Sequence, residues 1–133
     1  MQYDNTLTKV SIAPVALTDG TLSGTAVDRA VNGGMQEATL IVTTGVVTDG
    51  THTVAVQESA DGSTGWTAVD SGQLTGAPPA VVAADDGKVF EVGVRATKRY
   101  LRAQVVTASS STGGIVGCLI ALNSPRYAPV SRA

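Results

Sequence analysis

The sequence has few of the side chains that carry out catalysis or bind metals. Its 133 residues include one histidine, His52, and one cysteine, Cys118. A single cysteine excludes an intrachain disulfide, and this pair cannot form a zinc site of the usual four-ligand kind. Cys118 lies in the apolar run GIVGCLIAL, where burial raises the pKa of a thiol and makes it a poor nucleophile. We expect His52, which follows a turn, to be a surface residue, and we predict no catalytic residue, no enzymatic activity and no cofactor.

Motifs for other chemistry are missing or incomplete. The chain contains no GxSxG, no GxGxxG and no phosphate-binding loop. Asp61 would begin an EF-hand-like loop, but the twelfth position is Gly72 rather than glutamate. The other aspartates also fall in or beside turns, which explains them without a metal, so we predict no metal site. Aromatic residues make up 4% of the chain, and the lone Trp66 is interpreted as a core or edge anchor rather than a sugar platform.

Targeting signals and membrane spans are not evident either. The N-terminus MQYDNTLTKV is polar and lacks the apolar segment of a signal peptide. No apolar run is long enough to span a bilayer, so no membrane partner is predicted. These features, with the single cysteine, predict synthesis in a reducing cytoplasm.

Charge is sparse and unevenly distributed. Formal net charge is −2, but residues 1–87 hold two basic and ten acidic side chains, while residues 88–133 hold seven basic and one acidic. Either the two parts interleave and the charges pair locally, or an acidic and a basic face dock on neighbours. The basic cluster Lys98, Arg99 and Arg102 has one aromatic neighbour, Tyr100, which argues against a stacking surface for nucleic acid.

Alternating apolar and polar residues predict an antiparallel sheet. In VFEVGVRA (Val89–Ala96) and in Arg99–Val105, every second side chain is apolar, a period of two typical of half-buried strands. Ile115–Leu122 is apolar on both faces, which predicts a central or interface strand. Turn signals such as Asp49-Gly50 and the loop Ser59–Gly65 separate further strands, and no helical period of useful length is present.

The predicted fold class is all-β. We expect a single antiparallel β-sandwich or jelly-roll-like barrel of about seven to eight strands. The expected organisation is an N-terminal arm over residues 1–17, a β-sandwich domain over 18–123 and a C-terminal tail over 124–133. Pro14 favours the arm because it breaks central strand pairing, and the tail contains two prolines and two arginines.

Several segments resemble one protein family along most of the chain and in the same order. The most specific are QESADGST and VGVRATKRYLRAQV, and the others are AVDRA, GGIVGCLIAL and PRYAPV. They resemble a family of small structural proteins of tailed bacteriophages that are commonly encoded near the major capsid protein. The resemblance implies a virion protein, in particular a capsid decoration (cement) protein on the outer surface of the head. Such proteins are often trimers that bridge capsomers and stabilise the shell, and the family supplies no catalytic residues.

The expected partners are the major capsid protein and two further copies of this chain, with no nucleic acid, membrane or small-molecule substrate. The arm, the exposed phase of two strands and the tail supply the predicted capsid or inter-subunit contacts, which are Val10, Ile12, Pro14, Val15, Arg95, Lys98, Arg99, Arg102, Arg126 and Tyr127. Two alternatives remain open. One is a head–tail connector or tail structural protein, and the other is a carbohydrate- or cell-surface-binding β-sandwich module.

Overall fold

Two antiparallel sheets pack face to face in the computed structural model, which describes residues 2–30 and 34–129. The first sheet has, in spatial order, β1 (Leu7–Leu17), β11 (Gly114–Pro125), β4 (Met35–Val47), β9 (Val89–Val94) and β7 (Leu74–Thr75). The second has β2 (Gly20–Ser23), β10 (Tyr100–Ala108), β5 (Thr51–Ser59) and β6 (Thr67–Ala68), with β3 (Val27–Asp28) paired to β10 and β8 (Ala80–Val81) paired to β5.

The predicted all-β sandwich is confirmed. Within the described residues, seven strands have four residues or more, which matches the expected seven to eight, and four strands have only two residues. The helical parts are short: α1 (Gln2–Asn5) and two 3-10 turns, Ser71–Gln73 and Ala83–Asp85. The two-residue strands cover parts of the edges of β9, β10 and β5, where they satisfy backbone groups that would otherwise face solvent.

The core follows directly from the alternation in the sequence. Leu101, Ala103 and Val105 of β10 are fully buried, and so is the opposing set from β11 that includes Val116 and Leu122. Burying each large aliphatic side chain contributes about 1.5–3 kcal/mol. β11 lies between β1 and β4, so the prediction of a central strand is confirmed.

The segment predicted as an N-terminal arm is a strand of the sandwich. β1 pairs antiparallel with β11 from Leu7, opposite Leu122, to Leu17, opposite Gly114. The β-sandwich therefore begins before the predicted boundary at residue 17. The prediction of an arm rested on Pro14, which was expected to prevent strand pairing. In the structure this proline lies within a paired strand. Pro14 lies in a β-bulge of this edge strand, one of the positions where a strand tolerates proline.

A close approach accompanies that bulge. A side chain at position 117 of β11 would begin 3.0 Å from Cγ of Pro14 and 3.1 Å from its backbone nitrogen. Gly117 therefore gives the proline ring space to lie on the outer side of the first sheet.

His52 is buried, contrary to the expectation of a surface residue. It has the same inward phase on β5 as Val54 and Val56, and its exposed fraction is 0%. Its Nδ1 lies 2.9 Å from the hydroxyl oxygen of Thr107, and its Nε2 lies 3.2 Å from the carbonyl oxygen of Asp49. Both ring nitrogens thus have polar partners inside the fold, which makes burial possible.

Candidate interaction surfaces

The predicted contacts on β1 do not share one environment. Val10 is 50% exposed, and Pro14 and Val15 are also exposed. Ile12 is 4% exposed because it stands opposite the core residue Cys118, so its assignment as a surface contact is corrected.

The outer side of the first sheet is low in charge. Val10 stands opposite Leu119, Leu119 opposite Ile41, and Ile41 opposite Glu91, so three aliphatic residues and one acid form a row across four strands. We name this outer surface the apolar face and define it by Val10, Pro14, Ile41, Ile115 and Leu119. Val10, Pro14 and Ile115 are exposed, and Ile41 and Leu119 are half-buried. Adjoining aliphatic groups that solvent reaches are typical of surfaces that bind other proteins.

The outer side of the second sheet is polar instead. A chain of side-chain hydrogen bonds crosses it: Arg102 Nε donates to Gln57 Oε1 at 2.8 Å, Gln57 Nε2 to Gln104 Oε1 at 3.3 Å, and Gln104 Nε2 to Ser23 Oγ at 3.2 Å. We name these four residues the amide row. The guanidinium of Arg102 lies 4.3 Å from the ring centre of Trp66, a cation–π contact that places Trp66 at the end of the row.

The basic side chains that were predicted to form one patch lie in different parts of the structure. Arg102 belongs to the amide row, whereas Arg95 follows β9 and is exposed beside Glu37 and Thr39 of the first sheet. Lys98 is half-buried, with Nζ 3.4 Å from the hydroxyl of Thr67. The interpretation of these side chains as one charged patch is therefore corrected.

Arg99 has an acidic partner within the chain. Its Nε and Nη2 donate to Oδ1 and Oδ2 of Asp28, both at 2.8 Å, in a bidentate pair. The hydrogen bonds from Arg99 hold the pKa of Asp28 below its usual value, and the same pair raises the pKa of Arg99. Local pairing of the acidic and basic parts of the chain is thus realised here.

A cleft of about 590 Å³ brings Arg99 together with the tail residues Arg126 and Tyr127. It opens where β3 continues toward β4, where β9 continues toward β10, and where β11 ends. We call this end of the sandwich the cleft end. The remaining lining includes Arg29, which is not among the predicted contacts. Tyr127 is 77% exposed, and residues 130–133 of the predicted tail lie outside the described residues.

Arg29 and Glu58 fix the loops around this cleft. Arg29 Nε and Nη2 both donate to the carbonyl oxygen of Lys98, at 2.9 and 2.6 Å, and its Nη1 lies 3.2 Å from the carbonyl oxygen of Met35. The Oε1 of Glu58, which is 4% exposed, accepts from the N–H and hydroxyl of Thr97 and from the N–H of Lys98. Burial lowers the pKa of Arg29, while the charge of Glu58 raises it.

The opposite end of the sandwich, which we call the turn end, is acidic. Asp49 accepts hydrogen bonds from the N–H groups of Ser111, Thr112 and Gly113, the last at 2.7 Å, and these donors lower its pKa. Asp19 accepts from the N–H and the hydroxyl of Ser110, which likewise lowers its pKa. The two carboxylates together accept hydrogen bonds from four consecutive residues, 110–113, of the turn between β10 and β11.

The Asp61 loop is organised in the same way. Asp61 accepts from the N–H groups of Ser63 and Thr64 at 2.9 and 2.8 Å, and these bonds lower its pKa strongly. Turn formation thus accounts for the aspartates that an EF-hand reading would have used. Among residues 2–30 and 34–129, no group of three or more His, Cys, Asp or Glu side chains is placed to hold a metal ion.

Cys118 is a buried free thiol, as expected. It is fully buried in β11, and burial raises its pKa to about 12. A thiol with that pKa stays protonated at neutral pH and is not activated as a nucleophile. No helix in the described part of the chain has the length and apolar character needed to cross a membrane.

Comparison with solved structures shows the fold. PBSX exported protein XepA matches 96% of this chain with a TM-score of 0.61 at 16% sequence identity, and the match covers 40% of the XepA chain. The chain therefore spans less than half the length of that protein. A glycoside hydrolase family 43 arabinoxylan arabinofuranohydrolase from Bacillus subtilis matches 91% of the chain and 24% of its own length at 20% identity, with a TM-score of 0.39. That second match is too weak to support an argument.

Sequence comparisons add nothing to the structural ones. No protein-family model matches the chain, and no curated protein matches it.

Proposed function

We propose that this chain is a non-enzymatic virion structural protein that decorates the outer surface of a tailed-phage head. In this role it binds the major capsid protein, bridges neighbouring capsomers and stabilises the shell. The resemblance of QESADGST and VGVRATKRYLRAQV to small phage structural proteins supports the class of function, and the fold shared with XepA is compatible with it.

The apolar face is the observation that carries the proposal. Val10, Leu119 and Ile41 form a continuous aliphatic row that runs from the edge strand β1 across β11 to β4, and Glu91 of β9 ends it. Covering a sheet surface of this kind with another protein is favourable by about 25 cal/mol per Å² of apolar area removed from water, a gain that the cost of association partly offsets. Many such modest contacts, repeated over one shell and joined in trimers, give strong overall binding.

A matched pair of substitutions tests the contact. Val10→Asp adds a charge to the apolar face, whereas Val106→Asp adds the same charge to the outer side of the second sheet. The two valines are 50% and 43% exposed, so neither change buries the new carboxylate. We expect Val10→Asp to abolish co-sedimentation with purified phage shells and Val106→Asp to leave it unchanged. Equal binding by both variants would contradict the role of the apolar face.

Copy number in purified virions tests the function itself. Quantitative mass spectrometry against the major capsid protein should give close to one copy per capsid protein. A ratio of a few per cent would instead favour the head–tail connector or tail protein, and absence from the virion would overturn a structural role. The trimer is tested separately by the mass of the free protein in solution.

The carbohydrate-binding alternative depends on open aromatic rings. The guanidinium of Arg102 covers one side of Trp66, and the ring of Tyr100 lies against the loop at Gly62. Tyr127, the most exposed of the three, lies in the cleft rather than beside Trp66. Titration with glycans while tryptophan fluorescence is recorded would support this alternative if the emission changed.

A further inference from the structure

The cleft holds more positive charge than its neighbours neutralise. Three guanidinium groups line it, those of Arg29, Arg99 and Arg126, and no acidic side chain is among its described lining residues. Asp28 pairs with Arg99, and Glu58 lies near Arg29 beneath the loops. One cation, Arg126, is therefore left over.

The side chain of Arg126 makes no hydrogen bond or ion pair within the described residues, yet its position is defined. Its backbone N–H donates to the carbonyl oxygen of Gly34 at 3.1 Å. A Cβ at position 34 would lie 3.5 Å from both Cβ and Cδ of Arg126, so the backbone there packs against the stem of the arginine. Gly34 also has a φ of +64°, which glycine adopts without strain.

Electrostatic repulsion acts between two of these arginines. The positive charge of Arg126 lowers the pKa of Arg29, in the same direction as burial. The guanidinium of Arg29 is held in place, because its Nε and Nη2 donate to the carbonyl oxygen of Lys98 and its Nη1 donates to that of Met35. An anion placed between the two groups would relieve this repulsion and would pair with the free fork of Arg126.

We propose that this cleft binds a carboxylate-bearing, acidic peptide segment of the shell protein. This inference rests on the proposed function, because it names the chemistry of the same partner. The shape and lining favour a peptide over a small inorganic anion: the cleft measures about 590 Å³, and Ala96 and the exposed ring of Tyr127 lie beside the arginines. A peptide contributes apolar atoms to these groups and a bidentate carboxylate to Arg126.

An oligoglutamate peptide is the probe for the cleft. We expect the wild-type protein to bind a fluorescent oligoglutamate, measured by anisotropy, and Arg126→Gln to weaken binding about five- to tenfold. Arg126→Lys should lie between them because it keeps the charge and loses the fork. Arg95→Gln is the matched control, since Arg95 is an exposed arginine outside the cleft. Equal losses in Arg126→Gln and Arg95→Gln, or no binding by the wild type, would overturn the proposal.

Inorganic phosphate and a single-stranded oligonucleotide are tested as competitors. Displacement of the peptide by phosphate at equal concentration would mean a simple anion site, and preferential binding of the oligonucleotide would mean a nucleic-acid site. Either result overturns the peptide assignment. Co-sedimentation with shells separates the two proposals. If the wild type binds shells and Arg126→Gln binds equally well, the cleft inference fails while the decoration function stands. If the wild type does not bind shells, the function fails whatever the peptide does.

Discussion

The two ends of the sandwich use charge differently. At the turn end, Asp19 and Asp49 accept hydrogen bonds from the turn between β10 and β11, so their charge is used to hold that turn. At the cleft end, Asp28 and Glu58 play a similar structural part, but the side chain of Arg126 has no hydrogen-bond partner within residues 2–30 and 34–129. An aspartate in a turn is therefore explained by the fold alone, whereas Arg126, which has no acidic partner among the described residues, is the basis of the binding proposal for the cleft.

The largest effect on stability is expected at the cleft end, from Glu58→Ala. Two backbone N–H groups, of Thr97 and Lys98, lose their acceptor beside a buried side chain, which should lower the free energy of unfolding by roughly 2–4 kcal/mol. Urea denaturation measures the change. Glu58→Gln keeps a carbonyl oxygen at the same place and should lose less. An unfolding midpoint for Glu58→Ala equal to that of the wild type would mean that the cleft end is not held by this carboxylate.

A smaller effect is expected at the turn end, from Asp49→Asn. The lowered pKa of Asp49 means that its ionised form stabilises the native state, fully at pH values above the ordinary value of 3.8. That stabilisation is lost as the pH falls through the lowered pKa. Asp49→Asn should therefore reduce the unfolding midpoint at pH 7, and its difference from the wild type should disappear in strong acid.

Asp70→Asn provides the control for this pH dependence. Asp70 is exposed, and its carboxylate accepts one hydrogen bond, from the N–H of Gly72 at 3.4 Å. Asp70→Asn removes the same charge as Asp49→Asn, but it does not remove an acceptor from three N–H groups. Its stability at acidic pH should therefore stay close to that of the wild type. If both variants shift the curve equally, the effect is one of overall charge rather than of the turn.

The smallest effect is expected from Arg99→Gln, again at the cleft end. The Arg99 side chain is 49% exposed, so water screens its pair with Asp28 and the loss of stability should be slight. Thermal unfolding at low salt and at about 1 M salt measures it, and the difference should vanish at high salt. A loss as large as that of Glu58→Ala, or one independent of salt, would show that the pair is not a screened surface interaction.

Regular alternation made most of the sheet predictable. The inward residues of β10 and the central place of β11 follow from the spacing of their apolar side chains alone. The pairing of β1 was harder to predict from the sequence. A proline argues against a paired strand unless a bulge and a facing glycine are known. Pro14 and Gly117 meet only in the folded chain, and their separation in sequence gives no sign of it.

The candidate site was predictable in part. Glu58 could have been found, since it shares the inward phase of Val54 and Val56 and is therefore an acid directed into the sandwich. Arg29 and Lys98 are 69 residues apart, and the bond from a side chain to a backbone carbonyl leaves no pattern in either segment. The separation of Arg95 from Arg102 was also out of reach, because it depends on which sheet each strand joins.

The bulge at Pro14 also bears on how the chain behaves at high concentration. An open strand edge offers a template on which further copies can add without limit, and this leads to fibres and precipitates. Pro14 has no N–H to offer, the register of β1 shifts on both sides of Ile12, and Lys9 stands opposite the interior residue Ile120. A strand from another copy that paired with this edge would find an interrupted series of N–H donors and the exposed charge of Lys9. The same register shifts that make the edge unsuitable for polymerisation lie beside Val10 and Leu119, on the apolar face that we propose as the contact with the shell.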